Sequence, residues 1–126
     1  MIYWVTGKKN SGKTTLAYRL KELLESYGES VVVLDGGEIR RTFPIGYSNA
    51  ERWERTYEIG KWAAVFEKQG VIPVVALLSE KKGWRELTRK LFNESRLIYL
   101  PGGIDSDYRD GYDGYEVPGE EELRWG

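Results

Sequence analysis

An eight-residue stretch near the start of the sequence combines glycines, a lysine and a hydroxyl group at a spacing that suits phosphate binding. It runs from Gly7 to Thr14 and fits the pattern G-x-x-x-x-G-K-[ST], the P-loop. Glycines permit a tight turn whose backbone N–H groups face phosphate oxygens, and the helix that follows adds the positive end of its dipole. Lys13 can reach the β- and γ-phosphates, and the Thr14 hydroxyl can ligate Mg²⁺. The stretch therefore predicts a site for ATP and Mg²⁺. The predicted nucleotide-binding residues are Gly7, Lys8, Lys9, Asn10, Ser11, Gly12, Lys13, Thr14 and Thr15.

A carboxylate is the candidate for the acceptor side of such a site. Asp35 follows the apolar run Val31–Leu34, and ligands of open α/β sheets bind beyond the carboxyl ends of the strands. Because the chain contains no His, we predict that Asp35 orients an acceptor hydroxyl, accepts its proton or holds Mg²⁺ through water. The alternative is that Asp35 only caps the turn at Gly36-Gly37.

Arginines follow this carboxylate in two groups, first Arg40 and Arg41, then Arg52 and Arg55. A guanidinium group binds phosphate or sulfate through two parallel hydrogen bonds, so the arginines favour an anionic substrate. The alternative is a solvated helix face in which they pair with neighbouring acidic residues, namely Glu51, Glu54 and Glu58.

The elements that must position these residues alternate between strand and helix patterns. The predicted strands are Ile2–Thr6, Val31–Leu34, Val71–Leu78 and Arg96–Leu100. The predicted helices cover Lys13–Tyr27, a long segment from the capping box Ser48–Glu51 to about Gln69, and a short segment marked by Trp84, Leu87 and Leu91. This order predicts an α/β fold, a P-loop NTPase-type three-layer sandwich with a parallel sheet of about four strands flanked by helices.

Composition narrows the function classes. The 126 residues carry a net charge of −1, which argues against a surface built entirely for nucleic acid. The absence of Cys and His excludes thiolate and imidazole metal sites. No apolar run approaches the roughly 20 residues of a membrane span, and the N-terminus does not resemble a signal peptide. We therefore expect a cytoplasmic protein without membrane contact.

The last 25 residues differ from the rest. Of the 20 acidic residues, 8 lie in 102–126, against 2 of the 19 basic ones. We predict a P-loop core over 1–101 and an acidic tail rich in Gly and Tyr over 102–126. The tail is expected either to act as a reduced lid or merely to wrap the core.

Beyond the P-loop, further pieces of the sequence resemble the adenylyl-sulfate kinase family, which transfers the γ-phosphoryl of ATP to the 3′-hydroxyl of adenylyl sulfate. The resemblance covers roughly residues 3–85. The segments that carry the resemblance are, in order, Gly7–Thr15, Val33-Leu34-Asp35-Gly36 with Arg40, Gly46-Tyr47-Ser48 with Arg52, Gly70-Val71-Ile72, and Ser79 with Arg85.

The resemblance implies roles for individual positions. Lys13 and Asp35 would be catalytic, and Tyr47 would stack on the acceptor's adenine where the family has Phe. The implied acceptor-binding residues are Arg40, Tyr47, Arg52, Arg55, Ser79, Lys82 and Arg85. An adenylyl sulfate-like nucleotide is the implied partner.

Several positions depart from the family pattern. Gly37 replaces the second Asp of its Asp-Gly-Asp segment, Arg55 stands in place of an Asn, and Lys82 in place of an Arg. The family's lid is not recognisable between the fourth strand and Tyr115-Glu116-Val117-Pro118, where Arg109–Tyr112 is a thin remnant. These departures indicate a shortened member with an altered acceptor pocket.

Two other functions stay open on the sequence. One is a nucleotide-binding module with little or no transfer activity, whose exposed apolar sheet edges would need a partner protein or a homodimer to cover them. The other is a kinase that acts on a nucleic-acid hydroxyl. Basic residues after the third strand would contact the phosphate backbone, unless they form a solvated face interleaved with Glu80 and Glu86. They are Lys81, Lys82, Arg85, Arg89 and Lys90.

Overall fold

A computed structural model describes residues 1–104 and 114–124 of the chain. Its strands are β1 (Ile2–Gly7), β2 (Val31–Asp35), β3 (Ile72–Ala76) and β4 (Ser95–Leu100). Its helices are α1 (Lys13–Ser26), α2 (Gly36–Thr42), α3 (Asn49–Lys68), α4 (Lys82–Arg89) and α5 (Glu120–Leu123). Within these residues, every helix is too short or too polar to cross a bilayer.

The four strands form one parallel sheet in the order β2-β3-β1-β4. Each consecutive pair of strands is joined through helices, as parallel strands require. The register places Ala76 of β3 beside both Asp35 of β2 and Val5 of β1. The carboxyl ends of three strands therefore meet at one edge, and the predicted α/β architecture is confirmed.

Helices cover both faces of the sheet, which explains the continuous apolar runs of the strands. Val75 belongs to a core cluster with Ile59 and Ala63 of α3, whereas Val74 and Ala76 belong to a second cluster with Ala17 of α1. Successive residues of β3 thus point to opposite layers. The edge at which the carboxyl ends of the strands meet therefore includes β3, a strand that is buried on both faces.

Pro73 lies within the central strand β3, although proline cannot donate to a sheet ladder. The neighbouring Ile72 donates its N–H to Ser30 on the β2 side. Because backbone groups alternate along a strand, the Pro73 nitrogen faces the β1 side, where the recorded pairing begins only at Val74. The proline therefore costs no ladder hydrogen bond.

Two helices were not expected from the sequence. Helix α2 begins with two glycines, which have low helix propensity, and is started by the Asp35 carboxylate, which accepts from Gly37 N. Helix α5 has only four residues and depends on tertiary contacts. Strand β3 also ends at Ala76 rather than Leu78, since the Leu78 carbonyl accepts the hydroxyl of Thr6 instead of a ladder N–H.

Candidate active site

The loop between β1 and α1 turns in a way that its glycines require. Gly12, the N-cap of α1, has φ 99°, and Asn10 also lies in the left-handed region at φ 62°. A Cβ at Gly7 would lie 2.7 Å from both the Leu100 carbonyl oxygen and Ser11 Oγ. The Lys13 ammonium group donates to the Lys8 carbonyl at 2.7 Å and so spans the loop.

The start of α1 is suited to an anion. In the described part of the chain, no side chain caps this helix and its first turn carries no acidic residue. Ser11 Oγ is buried next to it and has no hydrogen-bond partner among the described residues. The N-terminal amides and the positive end of the helix dipole therefore face the loop without a competing carboxylate. These features fit the phosphates of a nucleotide.

Lys13 lies in a partly dehydrated position. Burial lowers the pKa of its ammonium group, while the negative charges of Asp35 and Glu80 oppose that shift. The two carboxylates thus help to keep the lysine charged where a polyphosphate would need it.

Thr14 and Asp35 meet at the edge predicted from the strand ends. Thr14 Oγ1 donates to Asp35 Oδ2 at 3.0 Å, and Asp35 Oδ1 accepts from Gly37 N at 3.0 Å. Asp35 therefore caps α2 and also faces the loop, so the two sequence interpretations of this residue are compatible. The hydroxyl and carboxylate are hard oxygen donors of the kind that Mg²⁺ accepts.

Across residues 1–104 and 114–124, no group of three or more acidic, His or Cys side chains is placed to hold a metal ion. Mg²⁺ commonly uses one or two protein oxygens together with substrate phosphates. The pair of Thr14 and Asp35 therefore fits a metal that arrives with a nucleotide.

A cavity of about 380 Å³ opens beside these groups. The loop and α1 form one wall, α2 and α3 form another, and the segment after β3 closes the base. The charged residues that line it are Lys9, Lys13, Asp35, Arg40, Arg41, Arg52 and Glu80. The predicted nucleotide-binding loop and two of the predicted acceptor-binding arginines, Arg40 and Arg52, therefore share one cavity.

Tyr47 lies against the two arginines of that cavity. The Cζ atoms of Arg40 and Arg52 are 4.5 and 5.4 Å from the centre of its ring. Arg40 also donates to the carbonyls of Ile45 and Gly46 at 3.0 and 3.3 Å. Tyr47 is about one-third exposed and does not line the cavity itself, but its ring packs against two arginines that do.

Arg52 is buried and faces Glu80. Its Nη1 lies 3.4 Å from Glu80 Oε2, and its Nε donates to the Tyr47 carbonyl at 2.7 Å. Burial raises the pKa of the Glu80 carboxyl, and the positive charge of Arg52 opposes this. Glu80 would be exposed if it belonged to the solvated face expected as one alternative, yet the residue is only 3% exposed and lines the cavity.

Comparison with known proteins assigns the chain to a family. The family model described as adenylylsulphate kinase matches residues 1–110. This chain belongs to the adenylylsulphate kinase family.

Individual relatives agree with that membership. A probable adenylyl-sulfate kinase of Archaeoglobus fulgidus is 40% identical over 100 residues, which cover 78% of this chain and 64% of that protein. The Mycobacterium tuberculosis APS kinase CysC, solved in complex with AMPPNP and APS, superposes with a TM-score of 0.74 at 26% identity over 79% of this chain and 61% of its own. A hexameric APS kinase from Thiobacillus denitrificans has a TM-score of 0.69 at 26% identity over 94% of this chain and 24% of its own. This member of the family thus spans less than two-thirds of these three relatives.

In this adenylylsulphate kinase family member, Ser79 and Arg85 do not reach the cavity. Ser79 is fully buried at φ 50°, where its hydroxyl accepts from Trp4 Nε1 at 2.7 Å and donates to the Leu77 carbonyl at 3.1 Å. Arg85 is 2% exposed and forms a two-point ion pair with Glu122, with Nε–Oε2 at 2.6 Å and Nη2–Oε1 at 3.1 Å. The family resemblance implies that both side chains contact the acceptor. In the structure, both are occupied by contacts inside the fold and are not placed to do so.

Arg55 and Lys82 also lie outside the cavity. Arg55 is buried on α3, donates to the Phe43 carbonyl and pairs with Glu58 at 3.0 Å. Lys82 is exposed at the start of α4, and its Nζ is 4.0 Å from Glu86. Arg55 therefore pairs along its own helix as the alternative expected, but it is buried and does not lie on a solvated face.

Two polar residues of the cavity wall, Thr56 and Glu80, were not predicted as site residues, whereas Arg41 was among the arginines expected to favour an anionic substrate. Asp35 is the last residue of β2, whereas Glu80 lies four residues after the end of β3, so the strand-end rule that selected Asp35 does not extend to Glu80. It was missed because a carboxylate within a run of lysines looks like a solvent-exposed residue.

The described part of the tail packs against the core. Tyr115 stacks on Tyr99 with ring centres 6.3 Å apart, and its hydroxyl lies 2.9 Å from the hydroxyl of Thr6. Burial raises the pKa of Tyr115 to about 12, so the phenol stays protonated. The predicted lid remnant Arg109–Tyr112 lies outside the described residues.

Proposed function

We propose that this chain transfers the γ-phosphoryl group of ATP to the 3′-hydroxyl of adenylyl sulfate or a closely related nucleotide. The observation that carries the proposal is the shared cavity, which has the phosphate-binding loop on one wall and Arg40 and Arg52 on another. The M. tuberculosis relative with AMPPNP and APS gives the two ligand types that such a cavity would take.

The residues of the loop would bind and align the nucleotide. The amides at the start of α1 and the Lys13 ammonium group would hold the β- and γ-phosphates, and the Thr14 hydroxyl would hold Mg²⁺. When bound, Mg²⁺ supplies positive charge against the phosphates. Phosphoryl transfer depends mainly on positioning and charge stabilisation, which these residues supply.

The other wall would place the acceptor. Arg40 and Arg52 would bind its phosphosulfate, and Tyr47 would stack on its adenine. Asp35 would orient the hydroxyl and take its proton as the new oxygen–phosphorus bond forms and the bond to the β-phosphate oxygen breaks. ADP and the phosphorylated acceptor would leave. A homodimer and a cytoplasmic location remain predictions alongside this activity.

ADP release from MgATP, measured with and without adenylyl sulfate, tests the proposal. We expect adenylyl sulfate to stimulate ADP release in the wild type. Lys13→Ala should lose about a hundredfold or more of the stimulated rate, because a charge donor to the transferring group is removed. Lys21→Ala is the matched control, since Lys21 lies on the same helix and pairs with Glu25 at the surface.

Two results would contradict the proposal. Undiminished stimulation in Lys13→Ala would remove the loop from the mechanism. Tight ATP binding without stimulation by any acceptor would favour a nucleotide-binding module instead, an outcome consistent with Gly37 and with an Arg52 that already has an internal partner.

A further inference from the structure

Glu80 is a buried carboxylate that the proposed transfer does not use. It lines the same cavity as Lys13 and Arg52, and only 3% of its surface is exposed. Its Oε2 lies 3.4 Å from Arg52 Nη1. A carboxylate in this position occupies part of the guanidinium that an acceptor anion would approach.

The backbone around Glu80 is held on both sides. Ser79 adopts φ 50°, a left-handed conformation that is uncommon for a residue with a side chain. Arg85 Nη1 donates to the Ser79 carbonyl at 2.7 Å, and Glu116 N donates to the Glu80 carbonyl at 2.7 Å. Glu80 is therefore presented to the cavity by a fixed loop and not by a freely rotating surface segment.

The charges explain why this contact matters for binding. A guanidinium binds an anion best when its N–H groups can form parallel hydrogen bonds to it. Arg52 already donates through Nε to the Tyr47 carbonyl, and its Nη1 faces Glu80. An acceptor anion at Arg52 would lie near the Glu80 carboxylate and would have to displace it or accept its repulsion.

We propose that Glu80 is a specificity-determining residue that competes with the acceptor for Arg52 and so lowers the affinity of this site for anions. The inference rests on the proposed function in one respect, which is that Arg52 faces the acceptor. Anions that bind only through Arg52, such as free sulfate or phosphate, would be excluded from the cavity. Only an acceptor held by additional contacts would bind.

Steady-state kinetics of Glu80→Gln test this role. We expect the KM for adenylyl sulfate to fall about tenfold. The KM for ATP should change far less, because only the acceptor competes with Glu80 and Asp35 still opposes the effect of burial on Lys13. Glu58→Gln is the matched control, since it removes a carboxylate 3.0 Å from another buried arginine outside the cavity. A merely structural role would leave the KM unchanged or raise it, and either result would overturn the proposal.

Glu80→Asp gives a second variant in case Glu80→Gln does not fold. It keeps the negative charge but shortens the side chain by one methylene, so the contact with Arg52 weakens. We expect a smaller fall in the acceptor KM, about threefold. An unchanged or higher value in this variant would also count against competition.

A binding measurement separates failure of the inference from failure of the proposed function. If neither the wild type nor Glu80→Gln phosphorylates adenylyl sulfate, the proposed function fails. The effect of inorganic sulfate on the melting temperature of the two proteins then tests the role of Glu80. We expect sulfate to raise the melting temperature of Glu80→Gln more than that of the wild type, and the extra rise to disappear in the double variant Arg52→Met/Glu80→Gln. Equal sulfate effects in the wild type and Glu80→Gln would overturn the proposal.

Discussion

Two arginine–glutamate pairs in this molecule differ in their surroundings. Arg85 and Glu122 form a two-point pair with a shortest distance of 2.6 Å, and both side chains are 1% exposed. Arg52 and Glu80 approach at one point, 3.4 Å apart, and line a cavity of about 380 Å³. The first pair joins α4 to the C-terminal helix, whereas the second faces the predicted substrates.

The difference shows how the same chemistry serves two purposes. A closed pair with additional hydrogen bonds to the Ser79 and Glu116 carbonyls satisfies the buried charges and fixes the fold. A pair with a longer nitrogen–oxygen distance beside a cavity allows a ligand anion to replace the carboxylate at the arginine. We therefore expect the Arg85 pair to stabilise the fold, and we propose that the Arg52 pair selects the acceptor.

The largest expected effect is on stability when the closed pair is broken. Arg85→Met would leave Glu122 buried without its cation and two carbonyls without their donor, so we expect a loss of about 3–5 kcal/mol in unfolding free energy. Urea denaturation measures this. Lys82→Met, at an exposed position on the same helix and 4.0 Å from Glu86, should change it by about 0.5 kcal/mol or less. A loss below about 1 kcal/mol for Arg85→Met would break the comparison.

The same substitution in the open pair should cost less. Arg52→Met would leave Glu80 beside a cavity, where the carboxyl can take up a proton because its pKa is already raised. We expect a loss of about 1–2 kcal/mol in urea denaturation, with a higher KM for the acceptor. A loss as large as that of Arg85→Met, with acceptor KM unchanged, would make both pairs part of the scaffold.

The smallest expected effect is the pH dependence of the unfolding free energy, for which Glu67 and Glu80 should differ in sign. Burial would raise the pKa of Glu67, but the N–H groups of Asn93 and Glu94 and the N-terminal ammonium group together outweigh burial and lower the pKa. The pKa of Glu80, in contrast, is raised. Glu67 therefore contributes stability above its unfolded pKa, near 4.5, and loses it as the pH falls. The contribution of Glu80 is present below 4.5 and is lost as the pH rises through its folded pKa.

Unfolding free energies between about pH 3.5 and 7 check these opposite signs. As the pH rises, the wild type should lose stability relative to Glu80→Gln and gain stability relative to Glu67→Gln. The same sign for both variants would refute the assigned environments.

The contiguous parts of the site were predictable from the sequence because their geometry is local. Gly7, Gly12 and Lys13 lie close together in one loop of the sequence. The position of Asp35 at the end of a strand predicted that it lies near this loop, and it accepts a hydrogen bond from Thr14 at 3.0 Å. Helix α3 was also predictable, since Ser48 and Glu51 form its N-terminal cap within four residues.

The rest could not be predicted because it depends on segments that meet only in the folded chain. Arg85 and Glu122 are 37 residues apart, and no local pattern signals their pairing. The family resemblance placed Arg85 in the acceptor site, whereas the docked C-terminal segment holds it in the scaffold. Glu80 reached the cavity because the left-handed Ser79 turns the chain after β3, which its lysine-rich neighbours do not reveal.

Transfer of radioactive phosphate from [γ-³²P]ATP to adenylyl sulfate tests the central claim most directly. The wild-type chain should label adenylyl sulfate at its 3′ position, one phosphate for each ADP formed, and should leave a 3′-deoxy analogue unlabelled. An unlabelled acceptor in the presence of bound ATP, or equal labelling of the 3′-deoxy analogue, would contradict the assignment of this cavity to phosphoryl transfer onto that hydroxyl.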